Sequence, residues 1–132
     1  MTALDRLTAL KGVLAAFDFG ADGSLGSHVI RDSSRLDAEA LQSLAHLCAA
    51  NFHLAALQGR GWRRVTGLEG FDPVQSFTLI GMDWSVIMDV PPTSSPLSQG
   101  ESTFHRAVVI SNREGSFDAV NAALQPPEDR RG

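Results

Sequence analysis

Between Asp37 and Gln58 the sequence carries its longest periodic segment, and no other feature narrows the fold as much. Leu36, Ala40, Leu41, Leu44, Leu47, Cys48, Phe52 and Ala55 recur at intervals of three and four, the spacing that aligns one apolar stripe along an α-helix. Ser34 and Asp37 offer a capping box at its start. Gly59 and Gly61 supply a break at its end. The segment therefore predicts one long helix over 37–58, followed by an irregular connection from Trp62 to Asp72. A stripe this wide needs a sheet to cover it.

The flanking sequence supplies strands. Val13 to Phe19 and Leu25 to Arg31 are apolar runs joined by Asp22-Gly23, the strongest hairpin signal in the chain. Val74 to Ile80 and Trp84 to Val90 form a second hairpin around Gly81-Met82-Asp83, and Phe104 to Ser111 is a fifth strand. Thr2 with Asp5 caps a short first helix, and Ser116 caps a last one running to Leu124. The expected order is α-β-β-α-β-β-β-α: an α+β sandwich whose mainly antiparallel five-stranded sheet is covered by helices. At 132 residues one core suffices, so residues 1–125 are read as one domain and 126–132 as a polar tail. The Pro/Ser-rich stretch 91–103 is longer than connecting loops usually are.

Composition removes several classes of function. The formal charge is −4 and the basic residues are scattered except for Arg60, Arg63 and Arg64, so nucleic acid is not an expected partner. Cys48 is the sole cysteine, which fits a reducing cytoplasm and offers no thiol pair for a metal. No apolar run has the length of a secretion signal or a membrane span. His28, His46, His53 and His105 lack the three- or four-residue spacing by which one helix chelates an ion, and read as surface or interface histidines. Cys48 sits on the apolar stripe and reads as a small core residue. No G-x-S-x-G or S-x-x-K string occurs, and Gly20, Gly23 and Gly26 lack the Lys-Ser/Thr of a phosphate loop. Neither catalysis nor a cofactor is expected.

Leu4-Asp5-Arg6-Leu7 leading into Val13-Leu14-Ala15-Ala16-Phe17, the turn Ala21-Asp22-Gly23, the alanine-rich helix from Leu44 to Ala56 and the string Gly81-Met82-Asp83-Trp84-Ser85-Val86 together resemble the roadblock/dynein light chain superfamily. More narrowly they resemble an uncharacterised bacterial roadblock-like family. The resemblance covers roughly residues 2–124. It implies a profilin-like sandwich that pairs with itself through the long helix and a sheet edge, acting as a scaffold or as a regulator of small Ras-like GTPases.

Within that expectation, the small side chains Ala45, Ala49, Ala50 and Ala56 make a helix face on which a second helix can approach closely. The expected interface is Leu41, Ala45, Ala49, Phe52 and Ala56, and Leu44→Asp or Leu47→Asp on the apolar stripe would tell a core face from an interface face by unfolding or by a folded monomer. Arg60, Trp62, Arg63 and Arg64 form the only concentrated cationic and aromatic cluster. It reads either as an anchor for an acidic partner surface or as a solvated helix exit with Trp62 folded back on the sheet. A different class of function also fits a sandwich of this size: a small-molecule sensor, or a minor enzyme, with a pocket closed by the 91–103 loop.

Overall fold

The structure is a computed structural model and describes residues 2–31, 36–89 and 104–124. A short helix α1 (Ala3–Thr8) leads into β1 (Val13–Gly20) and β2 (Leu25–Ile30). The long helix α2 (Ala38–Thr66) and a single 3-10 turn (Glu69–Phe71) follow. Then come β3 (Ser76–Ile80), β4 (Trp84–Asp89), β5 (Phe104–Ser111) and α3 (Phe117–Leu124). The five strands form one sheet in the order β2-β1-β5-β4-β3, and every neighbouring pair is antiparallel. The expected element order is the observed one. The stretches 91–103 and 126–132, and the capping role expected of Ser34, lie outside the described residues.

Local chemistry sets the ends of these elements. The Asp5 backbone N–H donates to Thr2 Oγ1 at 3.1 Å while the Thr2 N–H donates to Asp5 Oδ2 at 3.0 Å. These Thr2 hydrogen bonds hold the Asp5 carboxyl below its usual range. At the first hairpin Asp22 Oδ1 accepts from Ser24 Oγ at 2.7 Å and from its N–H at 3.0 Å. Those two bonds likewise lower the Asp22 carboxyl. Asp37 caps α2, accepting from the Ala40 N–H at 2.8 Å, and Ser116 Oγ accepts from the Ala119 N–H at 3.0 Å to start α3.

The expected break at Gly59 and Gly61 does not occur: α2 runs for 29 residues and ends at Gly67, whose φ of 74° makes it a left-handed cap. Half of the expected irregular connection is thus helix. Gly59 is buried, and a Cβ there would lie 2.5 Å from the Phe71 carbonyl oxygen and 2.7 Å from Val74 Cγ2. The glycine serves a close approach of backbone to helix, which stabilises the helical path it would otherwise weaken.

The sheet is covered on both faces. Against α2 stand Ala15, Phe17 and Phe19 of β1, Met88 of β4 and Ala107 of β5. On the opposite face Leu4, Leu7, Val120 and Leu124 from α1 and α3 pack over Val13, Ala16, Ile87, Val108 and Ile110. Double burial explains why β4 shows no clean alternation of exposed and buried residues. Across β1 and β5, Arg106 Nε donates to Asp18 Oδ1 at 2.8 Å between half-buried side chains.

Candidate functional site

The two sides of α2 decide where this protein can offer surface. Leu41, Ala45, Cys48, Ala49, Phe52 and Ala55 are buried against the sheet. Leu47, Leu54 and Leu57 point away from it, 61%, 58% and 58% exposed. This agrees with the spacing for Leu41, Cys48, Phe52 and Ala55 and overturns the expected interface. Leu41, Ala45, Ala49 and Phe52, expected at a partner interface, belong to the protein's own core, and Ala56 is half-buried. Leu47, on the same apolar stripe, lies outside the core, and Leu44 is half-buried beside it. The reason is bulk. Phe17 and Phe19 already fill the layer from the sheet side, so the helix comes close with alanines and turns its leucines outward.

Of these outward leucines Leu47 borders an apolar groove of about 540 Å³ between α2 and the β3–β4 hairpin. Leu44, Leu47 and Asn51 form one wall and Leu79, Ile80 and Trp84 the other, with Phe17 and Val109 beneath. No lining side chain is charged. Leu79 and Ile80 are 52% and 63% exposed on a strand that ends the sheet and pairs only with β4 among the described residues. An edge strand reading Ser-Phe-Thr-Leu-Ile carries none of the charges or prolines that normally discourage pairing with another chain.

Asn112 holds the hairpin in place. Its Nδ2 donates to the carbonyls of Gly81 at 2.8 Å and Met82 at 3.1 Å, and Ser85 Oγ donates to its Oδ1 at 2.6 Å. The turn bearing Met82 and Trp84 is therefore tied to the end of β5. Its partners lie some thirty residues earlier, so no local sequence pattern marks this role.

Cys48 lies on the groove floor, 5% exposed, and burial pushes its thiol up to about 11, which suits a packed side chain and not a nucleophile. Arg60, Trp62, Arg63 and Arg64 ride the last turns of α2 and do not converge. Trp62 stacks on Phe71 with ring centroids 5.6 Å apart and remains 55% exposed, so it is not folded onto the sheet. Arg63 Nε donates to Glu69 Oε1 at 3.1 Å, and Arg63 Nη1 is 4.0 Å from Asp72. Arg60 instead faces a separate cavity with His53 and His105. His53 and His105 meet there, although His28 and His46 do not line it, and the described residues hold no cluster of three or more metal-ligating side chains. No helix among them is long and apolar enough to cross a membrane.

A family model described as "Uncharacterized conserved protein (DUF2173)" matches residues 3–90. The chain belongs to that family. A search of curated proteins finds no significant match. Among solved structures, this DUF2173 member resembles the Roadblock/LC7 domain from Streptomyces avermitilis with a TM-score of 0.65 and 13% identity, over 92% of this chain and 85% of that one. It resembles MglB of Myxococcus xanthus with a TM-score of 0.62 and 20% identity, over 92% and 82%. The gliding protein MglB of Thermus thermophilus gives 0.64 and 16%, over 92% and 76%. The fold is the roadblock fold.

Proposed function

We propose that this protein acts without catalysis, as a homodimeric adaptor whose two copies meet across the outward face of α2 and the free edge of β3. The observation that carries this reading is the uncharged groove that joins Leu44 and Leu47 to Leu79, Ile80 and Trp84. Exposed apolar surface of this continuity is characteristic of association sites. A second copy is the natural occupant, because a helix face beside an open strand edge can be self-complementary about a two-fold axis. A structural neighbour described as "MglB with tetrameric arrangement" self-assembles on the same fold, which supports the reading by analogy.

The dimer is a platform for a further protein, and a small Ras-like GTPase is the partner class that the fold resemblance suggests. Arg60, Trp62, Arg63 and Arg64 at the end of α2 are the residues we assign to an acidic partner surface, and a cytoplasmic location goes with this role. Light scattering at micromolar concentration tests the first step: the mass should be twice 14.1 kDa. Leu47→Asp combined with Ile80→Lys should give a folded particle of half that mass. A wild-type chain that stays monomeric with the groove open to solvent overturns the proposal.

A further inference from the structure

The last two turns of α2 stand clear of the body. Gly59 is the final buried residue of the helix, and from Arg60 to Thr66 every residue is exposed except the half-buried Gly61. The tip is nonetheless braced. Trp62 stacks on Phe71, and Arg63 pairs with Glu69 at 3.1 Å. Thr66 Oγ1 donates to the Trp62 carbonyl at 2.6 Å and accepts from the Leu68 N–H at 3.2 Å. These ties hold apolar side chains in water: Val65 is 84% exposed and Leu68 59%.

Gly61 is the residue that the protein's own packing does not explain. Gly59 admits the Phe71 carbonyl, but a Cβ at Gly61 would meet nothing within 4 Å. A glycine inside an exposed helix lowers its stability, and no close approach within the described residues offsets that loss. What it leaves is a shallow notch of about 400 Å³ bounded by Gln58, Gly61, Trp62 and Val65. Their spacing of three and four sets the notch along one helix face. A missing side chain between two bulky ones lets a second helix cross at short range. Charge selects the visitor. Arg60 and Arg64 lie one turn apart on the same flank, and neither has an ion pair among the described residues. Over 60–72, Arg60, Arg63 and Arg64 stand against Glu69 and Asp72, a net of +1 on a chain of net −4. A second copy meeting this tip with its own would bring like charges together, whereas an acidic segment is attracted.

We propose that the end of α2 docks an acidic amphipathic helix of a partner protein, which crosses at Gly61 with its apolar side on Trp62 and Val65 and its carboxylates against Arg60 and Arg64. This rests on the reading of the α2 end as a partner surface and gives that partner its chemistry. Gly61 lies about 21 Å beyond Leu47 along the helix, and the notch shares no lining residue with the apolar groove. The docked helix and the second copy therefore occupy different parts of α2.

A displayed library of peptide helices of about eighteen residues, with Leu and Ala on one face and Glu, Gln or Lys on its flanks, tests this on the full chain. Glu-flanked helices should be enriched at least about tenfold over Lys-flanked ones. The best of them, as a synthetic peptide, should shift backbone amide signals within 58–71. Gly61→Leu fills the notch without meeting its own fold, and it should weaken that peptide at least about tenfold. Arg60→Gln combined with Arg64→Gln should do the same and erase the preference for Glu. A selection that enriches no helix, enrichment of Gln or Lys flanks, or amide shifts confined to other elements overturns the proposal. Affinity unchanged by Gly61→Leu but lost with the two arginines overturns the crossing helix and leaves the acidic partner surface standing. Affinity unchanged by the arginine variant removes both. The variant Leu47→Asp with Ile80→Lys should bind the peptide as the wild type does, which separates this site from the dimer.

Discussion

Ser85 Oγ donates to Asn112 Oδ1 at 2.6 Å, joining the start of β4 to the residue that follows β5. Ser85 is buried and Asn112 half-buried, so the pair is partly shielded from water. Replacing Asn112 by Ala removes the acceptor of Ser85 and both bonds to the Gly81 and Met82 carbonyls. The expected loss is about 1–3 kcal/mol in chemical denaturation. Amide exchange should rise most at residues 81–85, and the proposed dimer should weaken because Trp84 loses its fixed position. A uniform rise in exchange across the chain would show that the turn is not specially dependent on Asn112.

His105 gives the fold a pH dependence of known sign. Burial disfavours its charged form, so its pKa in the folded protein lies below the ordinary value of 6.5. Between those two values the unfolded chain binds more protons, and stability falls as pH drops below about 6.5. His105→Phe removes both this dependence and the orphaned Nδ1. The variant should melt higher than wild type at pH 7, and the gap should widen towards pH 5. A gap that narrows on acidification would contradict the assignment.

Gly59 and Gly61 are two residues apart on one helix and should respond oppositely to alanine. A Cβ at Gly61 meets nothing within 4 Å, so Gly61→Ala should add roughly 0.5–1 kcal/mol by its helix propensity. A Cβ at Gly59 collides with the Phe71 carbonyl at 2.5 Å, so Gly59→Ala should cost about 1–3 kcal/mol and loosen the 71–74 segment. Urea denaturation of the two variants checks both signs.

Cys48 should resist modification. With its thiol pushed from 9.0 up to about 11, the reactive thiolate at pH 8 is roughly a hundredfold scarcer than for a free cysteine, before steric cover is counted. Iodoacetamide should label the native protein at least about that much more slowly than the urea-unfolded chain. Comparable rates would place the thiol at the surface.

The chain by itself determined its elements and their order. Capping boxes, turn glycines and hydrophobic period act over a few residues, so Thr2 with Asp5, Asp22-Gly23 and the start of α2 at Asp37 were legible without any tertiary information. What happens between distant segments was not. The helix between Asp37 and Gln58 is apolar on more than one side, and period alone cannot say which side meets the sheet. The phenylalanines of β1 decided that, drawing Ala45 and Ala49 inward and leaving Leu47 and Leu54 exposed. The helix passed through Gly59 because Phe71 and Val74 pack where a side chain would stand, a contact that no helix propensity contains. The meeting of His53, Arg60 and His105 around one cavity came from the strand order that lays β5 beside β1 beneath α2. Local energies act through sequence neighbours, whereas the faces of a helix and the lining of a cavity are set by volumes that meet only when the layers close.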